Sequence, residues 1–374
     1  MSEKKFKIVH VLHHFEPCKG GIESVTLNLC RQLKKKGHSV EVVCLNKCPH
    51  GTSSLPPEET IEGIVVHRVP FLDLKWYKCP FHVMEKIPRD ADIVHVHGLG
   101  FFSDLLAWNR KRFSGKLVLS THGGIFHSNS SVFKQMYFNF IARRTLRAFD
   151  KVIAVSEHDG TLFKRIIPVE KMIVIENGVD VAQFNPNHER DEDAFLFVGR
   201  FSENKRVELL VETLLEALPQ EPKIKLWLAG IDWNEALKHL RERVRALGIQ
   251  RSVEFFEKPS NEKLKTLYER AGHFVSASAY EGFGLSLVEG MGAGCIAIVQ
   301  GIESFERILD HEKNGFLVDY SNPEQVAHEW VRIRDLDRKN KEGLRVEARR
   351  RALEFDWSKK VGEFEQVYME VKGP

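Results

Sequence analysis

The densest run of chemically useful side chains is Ser278-Ala279-Tyr280-Glu281-Gly282-Phe283-Gly284-Leu285-Ser286-Leu287-Val288-Glu289. Two carboxylates, Glu281 and Glu289, stand about two helical turns apart around a glycine-rich insert. Gly282 and Gly284 free the backbone to wrap a ligand, with Phe283 and Leu285 as its apolar lining. Glu289, projecting from the first turns of a following helix, can accept the two hydroxyls of a ribose. Ordinary surface glutamates need no such bracket.

Two further loops offer phosphate chemistry. In Val198-Gly199-Arg200-Phe201-Ser202-Glu203-Asn204-Lys205, Arg200 and Lys205 flank a turn after a strand. A guanidinium fork and a point ammonium suit a departing diphosphate, though a solvated basic turn looks the same in isolation. In Glu16-Pro17-Cys18-Lys19-Gly20-Gly21-Ile22-Glu23, the paired glycines Gly20 and Gly21 open a helix. Their amides can approach a phosphate and the helix N-terminus adds partial positive charge, yet glycines also make plain turns. The string is not GxGxxG, so a dehydrogenase gains nothing. His122 closes another strand, where a ligand would sit, while His95 lies inside a hydrophobic strand and reads as structural.

These side chains need elements to position them. Buried-strand patterns cover residues 7–15, 39–45, 64–69, 92–97, 116–121, 151–155 and 172–176. Helical patterns fall between several of them, notably over 24–36, 101–113 and 131–148. Residues 181–193 are charged, Asn-rich and aperiodic, and read as a linker. A second series of strands follows at 194–198, 224–229, 253–256, 274–276 and 296–299, and the tail is helical. The expected organisation is an N-terminal acceptor-binding Rossmann-like domain at 1–180, the linker, a C-terminal nucleotide-binding domain at 194–355 and a final helix at 356–374. Both domains are α/β and doubly wound, facing across a central cleft, with ligands beyond the carboxyl ends of the strands.

The chain has 374 residues with a net charge of +3. Residues 1–180 carry 26 Lys+Arg against 18 Asp+Glu, a balance of +8, and the remainder 29 against 34, a balance of −5. A basic first half suits an anionic lipid surface or a phosphorylated acceptor, or is simply a solvated face. No run spans a bilayer, and the N-terminus turns into a strand at once, so the cytoplasm is the expected location. Cys18, Cys30, Cys44, Cys48, Cys79 and Cys295 form no CxxC and read as buried or idle thiols. His95-x-His97 and Asp90-x-Asp92 imitate metal strings. Both aspartates precede their strand, however, and Arg200 with Lys205 already supplies cationic charge, so no metal is expected.

Glu281 and Glu289, the Gly199-Arg200…Lys205 turn, Glu176-Asn177-Gly178-Val179-Asp180 and the Gly20-Gly21 loop together resemble glycosyltransferase family 4, retaining enzymes of the GT-B fold. The match covers essentially the whole chain, and Asp356-Trp357-Ser358 resembles the start of the family's returning C-terminal helix. The resemblance implies that Arg200 and Lys205 bind the donor diphosphate, Glu281 the transferred sugar, Glu289 the ribose, and Gly21 the phosphate from the other domain. It places His122 beside the donor sugar. Arg206 departs from the family's usual glycine and is expected to alter the loop's geometry. The stretches His97–Asp104 and Ser120–His127 are similar to mannosyltransferases that extend lipid-linked cellobiose in xanthan and acetan assembly. That implies GDP-mannose as donor, with a UDP-hexose second, and a saccharide acceptor, lipid-linked in those enzymes. No cofactor and no nucleic acid is implied. A nucleotide-sugar epimerase or hydrolase and a non-catalytic sugar-nucleotide-binding scaffold are the rivals. The basic, aromatic pattern over 131–148 is expected either to pack on its sheet or to touch anionic membrane.

Overall fold

The computed structural model describes residues 4–49, 51, 53–74, 78–122, 137–185, 188–232 and 235–373. The chain forms two compact units, one of Met1–Gly178 with Trp357–Pro374 and the other Val179–Asp356.

In the first unit the strands are β1 (Lys7–Val11), β2 (Ser39–Leu45), β3 (Glu58–Ile61), β4 (Ile64–Val69), β5 (Phe71–Asp73), β6 (Lys78–Pro80), β7 (Ile93–His97), β8 (Lys116–Ser120), β9 (Lys151–Ala154) and β10 (Met172–Val174). Eight of them form one sheet in the order β10-β9-β8-β7-β1-β2-β4-β3, parallel except at the β3–β4 edge. The inner strands are largely buried, as in a parallel sheet covered on both faces, although β1 and β7 carry histidines among their apolar residues. From β1 the chain builds outward to β4, then returns to lay β7 on the other side of β1. That reversal makes the carboxyl ends of β1 and β7 the place for a ligand.

The second unit repeats the scheme with β11 (Asp191–Phe201), β12 (Lys225–Asp232), β13 (Val253–Glu257), β14 (Ala271–Ser276), β15 (Ile296–Gln300) and β16 (Phe316–Val318). Its all-parallel order is β13-β12-β11-β14-β15-β16, so the reversal falls between β11 and β14. Alternation along β11 divides the core. Phe195 and Phe197 join one cluster with Leu210, Val211 and Trp330, whereas Ala194 and Leu196 join another with Phe274, Leu287 and Met291.

The described residues of 181–193, which leave out 186 and 187, are not a free linker. Val181 and Phe184 are buried in the second unit, the Val181 amide donates to Asp356 at 3.1 Å, and β11 already starts at Asp191. Their polar neighbours hid two apolar anchors. The cysteines differ too, since Cys18 and Cys48 form a disulfide with Cα atoms 5.3 Å apart. Asp90 and Asp92 serve structure: Asp92 accepts the Lys7 amide at 2.9 Å and the Lys372 ammonium at 2.6 Å, and Lys7 Nζ reaches Asp90 at 2.9 Å.

Of the helix expected over 131–148, residues 131–136 lie outside the described residues. The remainder is a wide turn at Tyr137–Ala142 running into a helix at Arg143–Arg147. Ala142 and Leu146 are buried, but Phe140 is 73% exposed and Ile141 44%. Among the described residues no helix is long and apolar enough to cross a membrane.

Helix Trp357–Lys372 contributes buried Trp357, Val361, Phe364, Val367 and Tyr368 to the first unit. Trp357 lies against Gly178, where an added Cβ would fall inside the indole's contact distance. Gly178→Ala is therefore expected to cost about 1–3 kcal/mol by overpacking. Urea unfolding measures this, and an unchanged midpoint would refute the contact.

Candidate functional site

In the second unit the loops after β11 and β14 meet. The Lys205 ammonium makes a short ion pair with Glu281 Oε1, and the Ser278 hydroxyl donates to the same oxygen at 2.9 Å. Both charged side chains are mostly buried, at 10% and 15% exposure. Around them the Ala279 amide donates to the Asn204 carbonyl at 2.8 Å, and the Asn204 side chain is oriented by the Ser202 hydroxyl at 2.7 Å. Arg206 has φ of +46°, the left-handed region that favours glycine. Its backbone thus adopts a conformation that a glycine takes readily. The guanidinium holds the turn by donating to Ala277 O at 2.7 Å and Gln300 Oε1 at 3.0 Å. Arg200 is exposed and lies within β11, which continues past the expected turn to Phe201.

Helix Leu285–Ala293 follows Gly284, whose φ of +112° needs glycine and whose missing Cβ leaves room for Phe305. Phe283 does not line a ligand site with its ring. It is buried in the core, edge-on to Phe355 at 5.4 Å. Leu285 packs partly against the same core. Glu289 is half-buried and accepts the Tyr268 hydroxyl at 2.7 Å. Desolvation pushes its carboxyl up to about 7, against the downward pull of that hydrogen bond. Tyr268 was not singled out in the sequence, for its partner lies on another helix.

In the first unit Gly20 is the extended residue preceding helix Gly21–Lys35, and the Glu23 carboxylate occupies the space its side chain would need. Three attachments fix the loop before it. Buried Arg68 donates to Glu16 O at 2.6 Å, Cys18 is bonded to Cys48, and His14 Nδ1 meets Lys47 O at 2.9 Å.

His122 follows β8 with φ of +50°, and its Nε2 lies 2.8 Å from His97 Nδ1. His97 Nε2 in turn lies 2.9 Å from His10 Nδ1. His95, beside them, meets the Tyr368 hydroxyl at 2.7 Å and the Ser120 hydroxyl at 2.8 Å, a structural role. Burial pushes the imidazoles down, to about 3 for His10 and about 4 for His122, with His95 and His97 well below the ordinary value. His10, His95 and His97 bring nitrogen atoms within 4.8 Å of one another, spacing a metal ion could use. Their nitrogens are already committed to each other and to hydroxyls, apart from His10 Nε2. His127 lies outside the described residues.

The geometry is that of a GT-B protein, with phosphate-type loops at the switch points of two parallel sheets. The profile of glycosyl transferases group 1 matches residues 180–349, and that of Glycosyltransferase Family 4 matches residues 19–183. The chain is 33% identical to a GDP-mannose:cellobiosyl-diphosphopolyprenol alpha-mannosyltransferase of Xanthomonas oryzae, covering 98% of this chain and 97% of that one. Its identity to the protein of the same name from Komagataeibacter xylinus is 31%, over 100% and 95% of the two chains. Among solved structures, sucrose-phosphate synthase from Thermosynechococcus elongatus superposes with a TM-score of 0.74 at 19% identity, covering 98% and 99%. The chain belongs to glycosyltransferase family 4. It is a sugar-transferring enzyme, which sets aside the epimerase, hydrolase and scaffold readings.

The raised Glu289 carboxyl carries a stability consequence. Between about pH 4.5 and 7 the folded state holds this proton and the unfolded chain does not, so stability falls as pH rises through that window. Glu289→Gln removes the titration. It is expected to be more stable than wild type at pH 8, by on the order of 1–3 kcal/mol, and equal near pH 4. Thermal unfolding at the two pH values checks this, and equal differences at both would refute it.

Proposed function

We propose that the chain is a retaining mannosyltransferase that moves mannose from GDP-mannose to a lipid-linked saccharide, without a metal ion, at the cytoplasmic face of a membrane. The observation that carries this reading is the full-length similarity to enzymes named for that donor and acceptor. The second unit supplies suitable chemistry. As the sugar leaves, charge builds on the diphosphate, and Lys205 with Arg200 would neutralise it. In the first unit, the amides at Gly20 and Gly21 at the start of a helix are of the kind that suits a phosphate. Lys205 is held by Glu281 beforehand, so little reorganisation is needed when phosphate arrives. Glu281 would orient the mannose and Glu289 the ribose. No carboxylate acts as nucleophile in this scheme.

Incubation with GDP- and UDP-sugars in EDTA, with cellobiosyl-diphosphopolyprenol as acceptor, tests it. GDP release from GDP-mannose is expected, and turnover only with a UDP-hexose, or only with added magnesium, would overturn the corresponding part. Lys205→Ala should lower kcat about 100–1,000-fold. Glu289→Ala should mainly raise the donor KM, because ribose contacts are alike in ground and transition states. A Lys205→Ala enzyme with normal kcat would remove the diphosphate assignment.

The membrane part rests on exposed groups of the first unit. Phe140 and Ile141 stand beside exposed Arg143, Arg144 and Arg147, and the neighbouring helix ends in Trp108, 72% exposed, before exposed Lys111 and Arg112. Thr145 ties the two elements by donating to Asp104 at 2.5 Å. Aromatic and basic groups together suit an anionic headgroup layer, at roughly 1 kcal/mol per basic residue. Flotation with anionic vesicles is expected, falling with salt and weakened when Arg143, Arg144 and Arg147 become Gln. Equal behaviour with neutral vesicles would leave this surface without a lipid partner.

A further inference from the structure

Three imidazoles of the first unit stand in line. His10 Nδ1 is 2.9 Å from His97 Nε2, and His97 Nδ1 is 2.8 Å from His122 Nε2. Their rings stack successively, at centroid distances of 5.2 Å and 5.1 Å. Strand register enforces the line. His10 pairs with His95 across β1 and β7, His97 lies two residues further along the same face, and its partner on β8 is Ser120, just before His122.

Among the described residues, His95 on β7 lies against His10 and His97 and is itself bonded to Ser120 on β8 and Tyr368 on the last helix, none of which carries a negative charge. Burial keeps the imidazoles neutral, so each ring has a single N–H. A neutral ring that accepts at one nitrogen donates from the other, and both hydrogen bonds must therefore run in the same sense. The sense is set at His10, whose Nε2 is buried with no partner among the described residues. A stranded acceptor is better tolerated than a stranded N–H. His10 accordingly carries its proton on Nδ1 and donates to His97 Nε2. His97 donates from Nδ1 to His122 Nε2, and His122 keeps its proton on Nδ1.

We propose that His97, backed by His10, is a positioning residue that fixes the tautomer of His122, so that His122 meets the donor sugar as a hydrogen-bond donor through Nδ1. The proposal rests on the reading of His122 as a donor-sugar contact. The left-handed backbone at His122 fits a side chain held in place by its surroundings, since such conformations persist only where the structure over-determines them.

Two near-isosteric replacements separate the bonds. In His97→Asn the amide overlies Nδ1 and can still donate to His122. In His97→Gln the amide overlies Nε2, reaches His10 and leaves His122 without its donor. With saturating GDP-mannose, His97→Gln is expected to lose kcat about tenfold or more with donor KM little changed, and His97→Asn to stay near wild type. Imidazole ¹⁵N shifts of the wild-type protein read the tautomer directly, whatever the variants' stability, and should report the proton of His122 on Nδ1. Equal kcat for the two variants, or a proton on Nε2 of His122, overturns the proposal. So does stoichiometric Co²⁺ binding that is lost in His10→Ala, which would make the cluster a metal site. His122→Ala with wild-type turnover would instead sink the site reading itself. An inactive His122→Ala beside a fully active His97→Gln would sink only the positioning role.

Discussion

Each sheet grows outward from a central first strand, first to one side and then to the other. Parallel neighbours must be joined by crossovers, so a chain that reverses its direction of growth leaves two adjacent strands whose following loops diverge. In the second unit those strands are β11 and β14, and the divergence is bridged by Lys205 and Glu281. The pair is mostly buried, a poor way to gain stability because both ions lose water. What it does structurally is hold an ammonium at a fixed point between the two loops. The hydrogen bonds of Ser278, Asn204 and Arg206 are the scaffolding that a desolvated pair needs around it.

The first unit treats its own reversal differently. There, β1 and β7 carry histidines, and burial removes their charge instead of balancing it. One unit thus carries a balanced ion pair at its switch point and the other a neutral hydrogen-bonded array.

The long apolar strands were legible because they are buried on both faces and leave unbroken β-branched runs. Short β3, β5, β6 and β16 were not, since three or four residues give no periodicity and these lie in no longer β-branched run such as those that marked β9 and β10. Glu281 and Glu289 stood out because glycines punctuate their loop. The line from His10 to His122 did not, because it exists only once three strands are in register. The disulfide was hidden for a related reason: Cys18 and Cys48 stand 30 residues apart and meet only because they follow β1 and β2, which pair side by side in the sheet. Asn185, the charged residues around it and the rest of 181–193 drew attention away from Val181 and Phe184, which seat the segment. Nor did the sequence show that the Arg206 side chain supports its own left-handed turn, through hydrogen bonds to Ala277 and Gln300.

The helix Trp357–Lys372 completes the first unit, although the whole second unit precedes it in the chain. During synthesis β1 to β10 leave the ribosome while Trp357, Phe364 and Tyr368 are still unmade. The early-made sheet must therefore wait, with apolar surface uncovered and the His95–Tyr368 contact unformed, until the whole second unit has been made. A chain stopped early would carry every strand of both sheets and still lack a finished first unit, which leaves unfinished copies open to recognition by proteases and chaperones.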